Sequence, residues 1–181
     1  MLIITTYVLL LILLFVVTDF IKHRFLLDSN NSRKIVHIAS CVTVCTFPYT
    51  LSNSEIYLIC FIFVIITSFT KYRNIFKSIH SVDRTTFGAE AYPIGVLIAT
   101  YCFLPLDKTA FIYGMLVGGF SDSIASVIGK YYKYKEIIVF GQKKSLGGSL
   151  SFFTTTVIIS YLFIFILGNI LSSCISLRCF W

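Results

Sequence analysis

The chain has 181 residues, of which 57% are hydrophobic, 17% aromatic and 13% charged, with a formal net charge of +7. A soluble domain usually carries about 25% charged residues, and a mean hydropathy of +0.88 leaves too little polar surface to cover a water-soluble globule. Composition therefore specifies an integral membrane protein and excludes a soluble enzyme, a secreted disulfide scaffold and a nucleic-acid-binding domain.

In chain order, the first apolar run covers about residues 2–21. No Lys or Arg precedes it and no small-residue cleavage site follows it, so it reads as a retained span and not a signal peptide. Further runs extend from Lys34 to Leu51, Glu55 to Thr70, Ala91 to Pro105, Thr109 to Gly129 and Gly148 to about Ile175. The third and fourth are short. A spanning helix needs about 20 apolar residues, so six take roughly 120 and leave about 60 for loops and tails. The expected fold is an all-α polytopic bundle of about six transmembrane helices, forming a single domain over residues 1–181. Any chemistry then sits in the bundle and its loops.

The charge pattern orients this bundle. Lys22, Arg24, Arg33 and Lys34 follow the first span; Lys71, Arg73, Lys77 and Arg84 follow the third. Lys130, Lys133, Lys135, Lys143 and Lys144 follow the fifth. Thirteen of the fifteen basic residues thus share one side, leaving only Lys108 and Arg178 on the other. The positive-inside rule puts the three basic loops in the cytoplasm and both ends outside. Cations split in this way suit phosphate-bearing small molecules and anionic lipid headgroups better than a nucleic acid. The six cysteines include no CxxC pair, and those in apolar runs read as small buried hydrophobes.

Four polar clusters need an explanation, all on the cytoplasmic side. Asp122 lies inside the fifth run, about two turns before Gly129. A carboxylate in a membrane helix costs about 2.5–3.5 kcal/mol, so it faces a partner or a polar cavity. Either a buried ion pair or helix contact accounts for it, or a functional role does. Gly114, Gly118, Ser121, Ala125 and Gly129 follow three- and four-residue spacings, which lets a helix or ligand approach the backbone. Arg33, Lys34 and His37 share one face at the start of the second span. Cations at a helix start oppose the dipole, which points to a bound anion such as phosphate; interfacial snorkelling is the plainer reading. Glu90 opens the fourth span and pairs with Asp122 as an oxygen-ligand set for a divalent cation, or is simply a solvated helix-start carboxylate. The loop Phe140-Gly141-Gln142-Lys143-Lys144-Ser145-Leu146-Gly147-Gly148-Ser149 offers N–H groups, hydroxyls and ammonium groups to phosphate. It is not a Walker A loop, which needs Gly just before the Lys.

With these residues in order, the chain resembles the CTP-dependent lipid-alcohol kinases: phytol kinase, dolichol kinase and the fungal-type diacylglycerol kinase. Those in turn resemble the membrane cytidylyltransferases that make CDP-diacylglycerol. The Arg-Lys-x-x-His helix start is matched by Arg33, Lys34 and His37. A Glu-x-x-Tyr-Pro element is matched by Glu90, Tyr92 and Pro93 with one residue fewer between Glu and Tyr. Asp122, Ala125 and Gly129 match an Asp-x-x-Ala-x-x-x-Gly segment, and Lys144, Ser145, Gly148 and Ser149 match a Lys-Ser-x-Glu-Gly-Ser loop. The resemblance spans about residues 33–155. Gly147 stands where the loop often carries Glu, which removes a contact to metal or nucleotide.

The resemblance implies transfer of the terminal phosphate of CTP, or another nucleoside triphosphate, to a long-chain alcohol such as a polyprenol, phytol, dolichol or diacylglycerol. It implies Mg²⁺ at Asp122 with Glu90, phosphates at Lys143, Lys144, Ser145, Gly147, Gly148 and Ser149, and charge neutralisation by Arg33 and Lys34. His37 either accepts the alcohol proton or hydrogen-bonds a phosphate. The membrane is the plasma membrane in a prokaryote, or the endoplasmic reticulum or a plastid membrane in a eukaryote, with the site facing the cytoplasm. The alternatives are a cytidylyltransferase making a CDP-lipid, and a non-catalytic membrane protein or small transporter with an ion site at Asp122 and His37.

Overall fold

A computed structural model describes residues 2–25, 29–73, 88–132, 135–139 and 142–178. Within these, the side chains of residues 29, 30, 71, 88–90, 136, 138, 139, 142, 143 and 170–178 lie outside the description. The fold is all-α apart from one short hairpin. It divides into two compact units, Met1–Met115 and Leu116–Trp181.

The first unit starts with α1 (Leu2–Phe25), which is apolar almost all round. Only Leu11, Phe15 and Thr18 are buried, at spacings of four and three that mark one stripe of a helix. Leu9, Leu13, Val16 and Phe20 on its other faces are exposed, the surface of a helix that meets lipid. Helix α2 (Ser29–Cys45) stops at Thr46, and the chain turns through a four-residue helix, α3 (Phe47–Thr50), with Pro48 in its first turn. A proline lacks only a donor that a first turn leaves unused. The hydroxyls of Thr46 and Thr50 each hydrogen-bond Tyr7 Oη at 2.8 Å.

Helix α4 (Asn53–Tyr72) begins with one half of a capping box. Glu55 accepts from the Ser52 N–H at 2.8 Å and from its hydroxyl at 2.9 Å, which satisfies groups that a helix start leaves open. Helix α5 (Gly88–Phe103) packs against α4. Helix α6 (Lys108–Leu116) is capped by Asp107, which accepts from the Thr109 N–H at 2.8 Å. That bond holds the Asp107 carboxyl below the usual carboxylate range, so the cap is complete at neutral pH and is lost as pH falls through the lowered value. Phe47, Ile56, Ile59, Val96 and Phe111 are the most buried members of the core of this unit.

The second unit opens on a five-residue π-helical turn, Val117–Ser121, that runs into α7 (Asp122–Tyr131). Strands β1 (Glu136–Val139) and β2 (Gln142–Ser145) pair antiparallel, with Glu136 opposite Ser145 and Val139 opposite Gln142. Helix α8 (Leu146–Arg178) packs along α7. Its Thr156 Oγ1 donates to Phe152 O at 2.8 Å and hydrogen-bonds Ser121 Oγ at 3.1 Å. Ser123 donates to Gly119 O at 2.6 Å. Hydroxyls inside an apolar unit are thus satisfied by carbonyls and by one another, as lipid surroundings demand.

Each of the six expected apolar runs is largely helical, the second as α2 and α3 and the fifth as α6, the π turn and α7. Four of these helices are long and apolar enough to cross a membrane: Leu2–Phe25, Asn53–Thr70, Lys108–Tyr131 and Leu146–Asn169. The short helices are α2, with 17 residues, and α5, with 16. The third run, short in sequence, becomes a 20-residue helix. The second divides, because it places Thr46 and Pro48 where α2 would have continued. Of the small residues at three- and four-residue spacings, Ser121 and Gly129 face packed surroundings. A Cβ at Gly114 or at Gly118 would meet nothing within 4 Å. The π turn at Val117–Ser121, which contains Gly118 and Ser121, breaks the single face that a uniform α-helix would give.

Candidate functional site

The first unit brings two of the sequence clusters together. Arg33 and His37, one turn apart on α2, line a cavity of about 80 Å³ together with Tyr92 and Pro93 from the first part of α5. The His37 and Tyr92 rings meet edge to face, with centroids 4.6 Å apart and planes at 67°. Lys34 is buried but does not line this cavity. Glu90 falls in the first turn of α5, and its side chain lies outside the described residues.

The rest of the cavity wall is mostly apolar, with Leu11 and Phe15 from α1, Val44 from α2 and Phe63 from α4, and with Ser40 and Thr67 among these apolar residues. Arg33 and Val44 are eleven residues apart on one helix, about 16 Å at 1.5 Å per residue. The cavity therefore has a polar end near the start of α2 and a mostly apolar length beyond it. The sequence showed the polar end. It did not show the wall from α1, because an all-round apolar helix carries no mark of which residues face inward.

The second unit brings the other two clusters together. Gly129 on α7 meets the start of α8: a Cβ there would lie 3.0 Å from Ser145 Oγ and 3.3 Å from Gly148 Cα. Ser145 Oγ donates to Gly129 O at 3.2 Å and accepts from the Gly148 N–H at 3.1 Å. Ser145 is thus the N-cap of α8, three residues before the N–H it satisfies. This stretch is not a free loop. Gln142, Lys143, Lys144 and Ser145 form β2, and the helix begins at Leu146. Lys144 and Ser149 are exposed.

Gly147 and Gly148 serve close packing. A Cβ at Gly148 would lie 3.1 Å from Ala125 O, and one at Gly147 would lie 2.8 Å from Tyr132 O. Any side chain at position 147 needs the backbone at Tyr132 to move, which gives Gly147 a steric reason in this chain. Gly147→Ala is expected to destabilise the protein by about 1–3 kcal/mol, the usual cost of overpacking. Gly168→Ala is the control, since nothing lies within 4 Å of a Cβ there. Thermal unfolding in detergent compares the two.

Asp122 is exposed at the first position of α7, directly after the π turn. Among the described residues it makes no hydrogen bond or ion pair, so its two oxygens are open to a ligand. Single π turns in α-helices are frequent at functional sites. No group of three His, Cys, Asp or Glu side chains that could hold a metal occurs among the described residues. Mg²⁺ does not need one: it is commonly held by one or two carboxylates together with waters and substrate phosphates. Cys41 and Cys60 are buried and in no disulfide among the described residues, and the Cys41 thiol donates to Met115 O at 3.0 Å. Cys102 departs from the expected burial and is exposed.

Over 140 residues the chain is 32% identical to the phytol kinase of Synechocystis sp.. This similarity supports a relationship to the phytol kinases. The match takes in 73% of this chain and 60% of the length of that relative. No family model matches the chain, and no solved structure matches it.

Proposed function

We propose that the protein is a membrane kinase that transfers the terminal phosphate of CTP to a long-chain lipid alcohol. The observation that carries this reading is the pairing of the family-like motifs in a chain similar to a phytol kinase. Arg33 and His37 share a cavity with Tyr92 and Pro93. The Asp122-to-Gly129 helix is seated on the Ser145-to-Gly148 turn.

Phosphoryl transfer is mostly a matter of positioning and charge neutralisation. The alcohol oxygen bonds to the γ-phosphorus as the bond from that phosphorus to the β–γ bridging oxygen breaks, and CDP leaves. His37 takes the alcohol proton. Arg33 and Lys34 offset charge on the transferred group. Lys143 and Lys144, with the backbone about Gly147, Gly148 and Ser149, hold phosphates, and Ser145 fixes the turn that presents them. Asp122 supplies the carboxylate that would hold Mg²⁺. When bound, the metal neutralises phosphate charge.

Incubation with labelled CTP, Mg²⁺ and a panel of lipid alcohols tests the proposal. A lipid monophosphate with CDP is the expected product pair. A CDP-lipid with pyrophosphate, formed from a lipid phosphate, would instead identify a cytidylyltransferase.

The proposed setting is a multi-pass protein with three basic loops in the cytoplasm, on the charge split of the sequence. Single cysteines introduced beside Arg24, Lys77 and Lys135 in a cysteine-free background are expected to react with impermeant thiol reagents only after the cytoplasmic face is opened. Reaction of any one from outside intact cells would reject this topology.

A further inference from the structure

The end of the second unit at which α7 stops and α8 starts carries a surface of which the motifs use only Lys144. One stretch long and apolar enough to cross a membrane ends there at Tyr131, and another begins at Leu146. The β1–β2 hairpin joins them, so in a bilayer it stands at the membrane surface. Tyr131 and Tyr132 are 72% and 70% exposed, and Ile137 and Leu146 are 51% and 40% exposed. Lys130, Lys135 and Lys144 are exposed with them.

The hairpin sorts these residues. Ser145, opposite Glu136, turns to α7 and donates to Gly129 O. Neighbouring strand positions point to opposite faces, so Ile137 and Lys144, a facing pair, lie on the outer face. The Leu146 N–H donates to Lys135 O at 3.3 Å, which sets Lys135 beside Leu146 at the base of the ribbon. At about 3.3 Å per strand residue, Ile137 stands about 7 Å beyond that base. The headgroup layer outside the hydrocarbon is about 5–8 Å thick on each side, so Ile137 is level with it. A lone exposed isoleucine needs no explanation. Two exposed tyrosines, two exposed aliphatic side chains and three exposed ammonium groups at the end of a span have the composition of an interfacial surface.

We infer that the outer face of this hairpin is a docking surface for anionic phospholipid headgroups. Leu146 lies at the edge of the hydrocarbon, Ile137 and the two tyrosines lie in the headgroup layer, and Lys130 and Lys135 meet lipid phosphates. Charge complementarity selects this occupant. A zwitterionic headgroup brings its own cation to the lysines, and a second copy of this chain would set the same ammonium groups against one another. Lys144 shares the face and is left to the nucleotide, so the inference rests on Lys130 and Lys135. It requires that the two stretches meeting here cross the bilayer, and it does not require the kinase reading.

The test uses the full chain in phosphatidylcholine nanodiscs without nucleotide. Trp181→Phe removes the one tryptophan of the sequence, and Ile137→Trp then places a fluorescent probe on the face. Tyr132→Trp is a second probe beside it, in case the first disturbs the hairpin. Quenching is compared between phosphatidylglycerol and phosphatidylcholine, each carrying a nitroxide at the fifth acyl carbon and each added at the same low mole fraction. The anionic lipid is expected to quench at least about fivefold more effectively, the local enrichment that one lysine gives near a membrane surface. Lys130→Gln combined with Lys135→Gln is expected to bring that ratio to about twofold or less while quenching by phosphatidylcholine persists. Sodium chloride at about 0.5 M should lower the ratio of the parent by screening. Lys108→Gln, on the expected opposite side, should leave it unchanged. Equal quenching by the two lipids at both probes overturns the inference, as does a ratio that survives the double substitution. Quenching by neither lipid also overturns it, because the face then lies in water or against protein. All of these outcomes are read without phosphoryl transfer, so the kinase reading stands or falls on its own assay.

Discussion

Asp122→Asn is expected to lower turnover at least about 100-fold, while expression and thermal stability stay near those of the parent. The change keeps the size of the side chain and removes its charge. Replacing even an outer-shell partner of a metal ligand typically costs 10–100-fold, and an amide is a poorer ligand than a carboxylate for a hard cation. The structure gives the stability half of this expectation. Asp122 is exposed and makes no hydrogen bond or ion pair among the described residues. A side chain that held two helices together would show such a contact, and its loss would unfold the protein. Ser123→Ala, one position along, points about 100° away around the helix and loses only its bond to Gly119 O. It is expected to retain activity. Near-parent phosphorylation by a folded Asp122→Asn protein would remove the metal site from the mechanism.

Lys144→Ala is expected to weaken nucleotide binding about ten- to hundredfold, the equivalent of a charge-assisted contact of roughly 1.5–3 kcal/mol. Lys144 is exposed on β2, opposite Ile137 in the hairpin. Its loss therefore removes charge with little packing, and unfolding should be unaffected. Titration of labelled CTP against parent and variant measures the change. Lys108→Ala removes an equal charge from the expected opposite side of the membrane, and should leave nucleotide affinity unchanged. Equal affinities for parent and Lys144→Ala would return Lys144 to a purely topological role.

The four helices long and apolar enough to cross a membrane were legible because runs of about twenty apolar residues leave the backbone no other way to satisfy its hydrogen bonds in lipid. The hairpin was not. Its strands are four residues each, carry Lys143 and Lys144, and read as one more basic loop. Arg33, His37 and Asp122 stood out as charge or imidazole in apolar surroundings. Ser145 also stood out, for phosphate contact, whereas its structural bonds make it a cap that joins α8 to Gly129. The difference is physical: the same hydroxyl suits either task, and only its neighbours decide. Tyr92 was legible as part of a motif and not as a buried hydroxyl with no hydrogen-bond partner among the described residues, since a tyrosine near a helix start ordinarily rests its hydroxyl in the interface. Leu11 and Phe15 were hidden among equivalent neighbours.

The π turn at Val117–Ser121 makes the fifth expected span sensitive to length in a way that its composition conceals. A π turn closes its hydrogen bonds five residues apart where an α-helix uses four, so the chain carries a phase offset just before Asp122. Deleting a single residue between Val117 and Ser121 would let the segment relax to ordinary α-helix with every backbone bond intact. It would also swing the carboxylate by about 100° relative to the turn before it. Substitutions here alter a side chain, whereas a one-residue deletion alters the direction in which everything downstream points. Two homologues with matching residues around Asp122 but a one-residue gap before it would therefore aim that carboxylate differently.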